Sequence, residues 1–269
     1  MYGVIELRGV SFGYSVRRNN GKDLQIVLDD VSMRIEAGSF VSVVGPSGCG
    51  KTTLLKLIAG LLRPLKGEIV YGGSGGSDSR PLIGMAFQNA VLLPWRTVLE
   101  NVILPLEVVK RWRSELRRRR HEFVERALAL LRSVGLEEYA HRMPWELSGG
   151  MQQRVSLCRA LIHEPDVLLL DEPFGALDMM TREDLWSVLQ DLWIERRCTV
   201  VMVTHDLREA VFLSDKIYVL GGRPATLIGC VAVSYPRPRP PDLHYRDDFV
   251  RTTRDLRTLL ERSEPKVVT

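Results

Sequence analysis

The chain has 269 residues, of which 45% are hydrophobic and 26% charged, with a formal net charge of +4. That is enough apolar residue to bury a large core, and one unit with two lobes is expected. The longest apolar runs fall far short of the ~18 residues of a membrane span, no leader peptide is expected, and Cys49, Cys158, Cys198 and Cys230 lack the spacing of a zinc site or a disulfide framework, so the reading is a cytosolic protein.

In chain order, Val10-Ser11-Phe12-Gly13-Tyr14 places two aromatics near the start. Phe40 to Val44 is an apolar, β-branched run that reads as a buried strand, and Thr53 to Gly60 reads as an apolar-periodic helix closed by glycine. Between them Gly45-Pro46-Ser47-Gly48-Cys49-Gly50-Lys51-Thr52 fits G-x-x-x-x-G-K-[ST] at every fixed position. Strand, glycine loop and helix are the order a phosphate-binding loop needs. The glycines let successive N–H groups turn toward a phosphate, and the helix N-terminus adds its dipole. Lys51 would reach the β- and γ-phosphates of a nucleotide and the Thr52 hydroxyl would ligate Mg²⁺. Cys49 is either a thiol open to reagents or a small spacer.

Gly72-Gly73-Ser74-Gly75-Gly76-Ser77 reads as a flexible loop between strands, with no chemistry assigned. A strand from Ile83 to Phe87 leads into Gln88. Leu92 to Val102 passes from an apolar-rich loop, including Leu93 and Trp95, into a helix; it is a groove for a partner helix or ordinary packing. Lys110 to His121 reads as one helix of dense positive charge, which is a solvated face, a phosphate-binding surface or a face turned to anionic lipid. Leu147-Ser148-Gly149-Gly150-Met151 is a second glycine-rich loop, followed by a helix from Val155 to His163. Asp166 to Pro173 is an apolar strand with Asp171 and Glu172 at its C-terminal end, where parallel sheets place ligands. Asp171 would hold the metal through its water shell and Glu172 would polarise the attacking water. A strand from Thr199 to Val203 delivers His205. Beyond it come a helix (Leu207 to Leu213), a strand (Lys216 to Leu220), an apolar segment (Thr226 to Val233) and a proline-rich break over 236–242. An amphipathic helix from Asp247 to Arg262 closes the chain, with Phe249, Val250, Leu256, Leu259 and Leu260 on its apolar face.

The second glycine loop, its helix and the strand ending in Asp171-Glu172 resemble the signature and Walker B region of an ATP-binding cassette (ABC) ATPase, and six motifs stand in order over residues 10 to 206. The resemblance implies an α/β fold, a P-loop NTPase core of mixed sheet and helices with an antiparallel β subdomain and an inserted α-helical subdomain at about 89–162. It implies a nucleotide-binding domain over 1–235 and a C-terminal turn and helix over 236–269. Tyr14 matches the aromatic that stacks on adenine, with Phe12 as its rival. Gln88 matches the Q-loop glutamine near the metal, Gly175-Ala176-Leu177-Asp178 the D-loop, and His205 the switch histidine at the γ-phosphate. The nucleotide set is then Tyr14, Gly45 to Thr53, Ser148, Gly149, Gly150 and Asp178, with Glu172, His205 and Gln88 catalytic and Thr52, Gln88 and Asp171 on the metal. Met151 departs from the family's usual glutamine.

Since the signature loop of this fold lies far from its own P-loop, the resemblance implies a head-to-tail dimer sandwiching two ATP molecules. The segment 93–102, the stretch from 157–163 to 181–183, and the Tyr-Pro-Arg-Pro-Arg turn with its terminal helix resemble the nitrate/sulfonate/taurine subgroup of importers. That implies ATP and Mg²⁺ as cofactors, integral-membrane permease subunits as partners, an external substrate-binding protein as an indirect one, and a place on the cytoplasmic face of the membrane. The rival is a soluble ABC ATPase acting on nucleic acid. It would need a long coiled-coil insertion or a second cassette, and no nucleic-acid partner is expected.

Overall fold

A computed structural model describes residues 2–18, 21–73, 80–175 and 177–263. The chain divides into two compact units, residues 1–81 with 199–269, and residues 82–198.

The first unit holds two sheets. Strands β1 (Tyr2–Arg18) and β2 (Gly21–Ile35) pair antiparallel, and β4 (Lys66–Gly73) adds antiparallel to the other side of β1. This is the antiparallel sheet expected from the resemblance. Within the 72–77 segment Gly72 and Gly73 end β4, and residues 74–77 lie outside the described residues. The other sheet is built around β3 (Phe40–Val44), parallel to β7 (Thr199–Thr204) on one side and to β8 (Lys216–Gly221) on the other; β9 (Thr226–Ala232) closes the edge antiparallel to β8. All five residues of β3 are buried, as an apolar strand with parallel neighbours on both sides requires. Helices α1 (Lys51–Ile58), α7 (Leu207–Leu213) and α8 (Asp247–Ser263) complete the unit. In α8, Phe249 and Leu256 are buried, whereas Val250, placed on the apolar face by its periodicity, is 44% exposed.

The second unit carries a parallel pair, β5 (Ile83–Ala86) and β6 (Val167–Asp171), with the helices α2 (Val98–Val108), α3 (Lys110–Arg118), α4 (Arg120–Ser133), α5 (Gly149–Leu161) and α6 (Met179–Arg196). Thr97 opens α2 with a capping box: its hydroxyl accepts from the Glu100 amide, and the Glu100 carboxylate accepts from the Thr97 amide. The charged run expected as one helix is two. The chain turns at Arg119, whose φ of −124° and ψ of 34° leave the helical region. Leu116 and Phe123, one on each helix, are both buried, which a single straight helix seven residues long between them would also permit; the break itself has no sequence breaker to announce it.

Candidate nucleotide site

In the first unit the glycine loop leaves the end of the innermost strand. Gly45 has no room for a side chain: a Cβ there would lie 2.8 Å from the Cys49 sulfur and from the Leu220 carbonyl oxygen. Gly50 caps α1 with a φ of 108°, which only glycine adopts without strain, and a Cβ on it would press to 2.7 Å of Val27. Lys51 is buried and folds across the loop, its Nζ donating to the carbonyls of Gly45 at 2.9 Å and Pro46 at 3.0 Å. Ser47 and Gly48 stay exposed at the mouth. A sequestered ammonium inside a curl of backbone that opens to solvent fits a phosphate. Thr53, on the first turn of α1, lies 3.2 Å from the Tyr14 hydroxyl through its own. Tyr14 is 41% exposed and Phe12 only 7%, with the rings edge-on at 5.0 Å, so Phe12 backs the ring that Tyr14 presents. Cys49 is buried and burial pushes its thiol up, which fits the spacer of the two readings.

His205 stands exposed between β7 and α7. The turn holding it is built from its neighbours: Thr204 donates its hydroxyl to the buried Glu209 carboxylate at 2.6 Å and accepts from the Asp206 amide at 3.0 Å. Asp206 caps α7 by accepting from the amides of Arg208 and Glu209. At the other end of α7, buried Arg239 donates to the carbonyls of Val211 and Phe212, and Arg237 to that of Leu213 and to Asp215. Cations on the last carbonyls of a helix satisfy orphan acceptors and oppose its negative pole. Sequence reasoning found neither Glu209 nor this clamp; the Pro-Arg-Pro-Arg turn was its one visible trace.

In the second unit, Ser148 caps α5 by accepting from the Met151 amide at 3.3 Å, so the helix begins at Gly149 and not at Val155. Ser148 and Gly149 are exposed, and a Cβ on Gly149 would meet nothing within 4 Å. Gly150 differs, because a Cβ there would lie 2.6 Å from Cγ2 of Thr181 on α6. One glycine keeps the surface bare and the next lets two helices close. Buried Gln153 ties α5 to the end of β5 by donating to the Phe87 carbonyl at 3.0 Å. A cleft of about 430 Å³ opens there, lined by Gln88, Leu92, Pro94, Trp145, Gly149 and Pro173 among others.

Asp171 ends β6 and is buried. Glu172 follows with a φ of 45°, a left-handed conformation that costs a non-glycine residue about 1–3 kcal/mol and concentrates at functional sites. A Cβ on Gly175 would lie 3.3 Å from the Gln88 amide nitrogen and 3.6 Å from a Glu172 carboxylate oxygen, so the fold brings Gln88 and Glu172 together against one small residue. Asp178 caps α6, accepting from the Thr181 amide at 3.0 Å and its hydroxyl at 2.7 Å, and these bonds hold its carboxyl below the ordinary range. Ala176 of the same stretch lies outside the described residues. Among the described residues no group of three His, Cys, Asp or Glu side chains gathers as a metal cage.

Residues 28–175 match the ABC transporter family. The chain belongs to that family. As an ABC protein it is an ATP-binding, ATP-hydrolysing cassette, with the P-loop fold described above. It is 42% identical over 217 residues to the bicarbonate transport ATP-binding protein CmpD of Synechocystis sp., which takes in 80% of this chain and 75% of the relative. It is 44% identical over 237 residues to the aliphatic sulfonates import ATP-binding protein SsuB 1 of Burkholderia cenocepacia, covering 87% of this chain and 66% of that one. Among solved structures, the dimeric MJ0796, a bacterial ABC transporter cassette, aligns with a TM-score of 0.70 at 33% identity, over 86% of this chain and all of that one. The nucleic-acid reading gains no support from these relatives. No helix among the described residues is long and apolar enough to cross a membrane.

Proposed function

We propose that this ABC cassette is the ATP-hydrolysing subunit of an importer for a small anion, working on the cytoplasmic face of the membrane beneath permease subunits. The likeness to import ATP-binding subunits over most of the chain carries this reading. Bicarbonate and aliphatic sulfonates, named for the relatives, join nitrate and taurine as the candidate cargoes; all are small and carry an anionic oxygen group, and they are met by an external binding protein and the permease, not by this chain.

The residues divide the work as follows. Tyr14 stacks on adenine. The loop Gly45 to Thr52, with Thr53, encloses the phosphates, and Lys51 exchanges its two carbonyl partners for phosphate oxygens. Thr52, Gln88 and Asp171 hold Mg²⁺, which neutralises phosphate charge when bound. Glu172 orients the attacking water and His205 holds the γ-phosphate, while Ser148, Gly149 and Gly150 of a second copy donate from the opposite side. Asp178 stands at the seam of that head-to-tail dimer. The cleft beside Gln88, with Leu93 and the 71% exposed Trp95 on the neighbouring loop, receives a helix of the permease. In this reading residues 1–235 form the nucleotide-binding domain, with its helical subdomain at about 89–162, and 236–269 form the tail that clamps α7.

The test is a pull-down of the tagged chain from detergent-solubilised native membranes, with the ATPase rate of the eluate compared with that of the free chain. A co-purifying multi-span permease and a changed rate support the importer. Recovery of nucleic acid or ribosomes without a permease overturns it.

A further inference from the structure

The 13 residues 110–122 carry seven Lys or Arg and two Glu, a net charge of +5, while the whole chain carries +4. Everything outside this segment therefore sums to −1, so the segment alone accounts for the positive balance of the chain. The charge is placed against the needs of the helices it sits on. The first turn of α3 has Lys110, Arg111 and Arg113 and no acid, although a helix N-terminus favours anions. Neither α3 nor α4 has a side-chain cap at its start.

Among the described residues Arg119 is the arginine of this run that is held in ion pairs, with Glu115 and Glu122. Arg113, Arg117 and Arg120 instead line a cleft of about 700 Å³ with Arg96, Glu107 and Val108. Arg96 is held bidentate by Glu107 at 2.8 and 3.0 Å. Among the described residues the other three arginines make no close ion pair with a neighbouring carboxylate; Glu100 is the one acid whose charge reaches Arg120, and the lining of the cleft keeps a net positive charge. Beside them Val108 is 71% exposed. Guanidiniums that share a cleft with exposed apolar surface complement a phosphate ester with a hydrocarbon part. Pro94 lines the cleft beside Gln88 and Arg96 lines this one, so both open off the same short loop.

We propose that Arg113, Arg117 and Arg120 form a binding site for anionic phospholipid headgroups, which holds the cassette in register against the inner leaflet. The proposal rests on the importer reading, which puts a membrane beside the loop at residues 94–96.

The test is co-sedimentation of the full chain, without permease, with vesicles of phosphatidylglycerol and phosphatidylcholine or of phosphatidylcholine alone. Binding to the anionic vesicles only, weakened by salt, is expected. The triple variant Arg113→Gln/Arg117→Gln/Arg120→Gln should lose roughly a hundredfold in affinity, at about 1 kcal/mol per cation, while its ATP hydrolysis in solution stays unchanged, which shows it is folded. Removing three charges from α8 instead (Arg251→Gln/Arg254→Gln/Arg262→Gln) should change binding by no more than about twofold. Equal loss in both variants would reduce the effect to net charge and overturn the site. So would competition by inorganic phosphate at low concentration, which would assign the cleft to a free anion, or preference for duplex DNA over vesicles. If the permease pull-down succeeds and the vesicles do not bind, this proposal alone falls; if the pull-down fails, the importer reading falls whatever the vesicles do.

Discussion

Thr204 donates its hydroxyl to the carboxylate of Glu209 across 2.6 Å, with both side chains buried, immediately before the exposed His205. Removing one partner takes a buried hydrogen bond from the other, at a cost of about 1–3 kcal/mol. Glu209→Ala and Thr204→Val should each lower the melting temperature, and the double variant should be little worse than the poorer single one. Because the pair fixes the turn that carries His205, kcat for ATP should fall more than KM rises. Steady-state kinetics with unchanged kcat in Glu209→Ala would show that His205 does not depend on α7.

Glu172 has a different exposure to test. Glu172→Gln should keep nucleotide affinity, reduce hydrolysis by ~10²–10⁴-fold, and accumulate as an ATP-bound dimer on size-exclusion chromatography. Turnover like that of the parent chain would remove Glu172 from the role of orienting water.

The two signature glycines should separate cleanly. Gly150→Ala drives a methyl group to within 2.6 Å of Thr181 Cγ2 and should destabilise the fold by about 1–3 kcal/mol. Thr181→Ser removes that methyl and keeps the hydroxyl bonded to Asp178, so Gly150→Ala/Thr181→Ser should recover the lost stability. Gly149→Ala meets open space and should melt close to the parent; a loss of ATP-driven dimerisation in that variant would place Gly149 on the nucleotide side. Thermal melts and dimerisation assays read the two effects apart.

Burial raises the thiols of Cys49, Cys158 (to about 12) and Cys198 (to about 11), so their reactive thiolate is scarce at neutral pH and grows only as pH climbs toward those values. Cys230 is also raised but is exposed. Iodoacetamide at pH 8 should label Cys230 first, with peptide mass spectrometry giving the order. Rapid labelling of Cys49 would mean that the phosphate loop opens far more often than its packing suggests.

Local pattern carried much of this architecture. Strand β3 and helix α7 match their sequence readings residue for residue, because an apolar run or a capped amphipathic stretch encodes itself locally. The start of α5 was read six residues late, since Ser148-Gly149-Gly150 looks like a loop until the serine is seen to cap it. The break at Arg119 was hidden by a uniform run of helix formers. The sequence favours Tyr14 over Phe12 by motif alone; that Tyr14 is 41% exposed and Phe12 buried is visible only in the fold. The Glu209 pairing and the Arg239 clamp were out of reach for another reason: a charged residue reads as surface, and only the fold reveals that Arg239 spends its donors on carbonyls 27 and 28 positions upstream.

The first unit is assembled from both ends of the chain, and that has a consequence for how the protein is made. Strand β3 emerges early from the ribosome, yet its two neighbours, β7 and β8, come from beyond residue 198, and Val219, which pairs with Val44, lies 175 positions further on. At about 5–20 residues per second this central strand waits roughly 10 to 35 s for its partners. During that interval the contiguous stretch 82–198 has been completed, whereas the phosphate loop hangs from an apolar ribbon with both edges open. The nascent chain is therefore most prone to aggregate after its middle has been synthesised and before its end has, and this is the interval in which a chaperone would be needed.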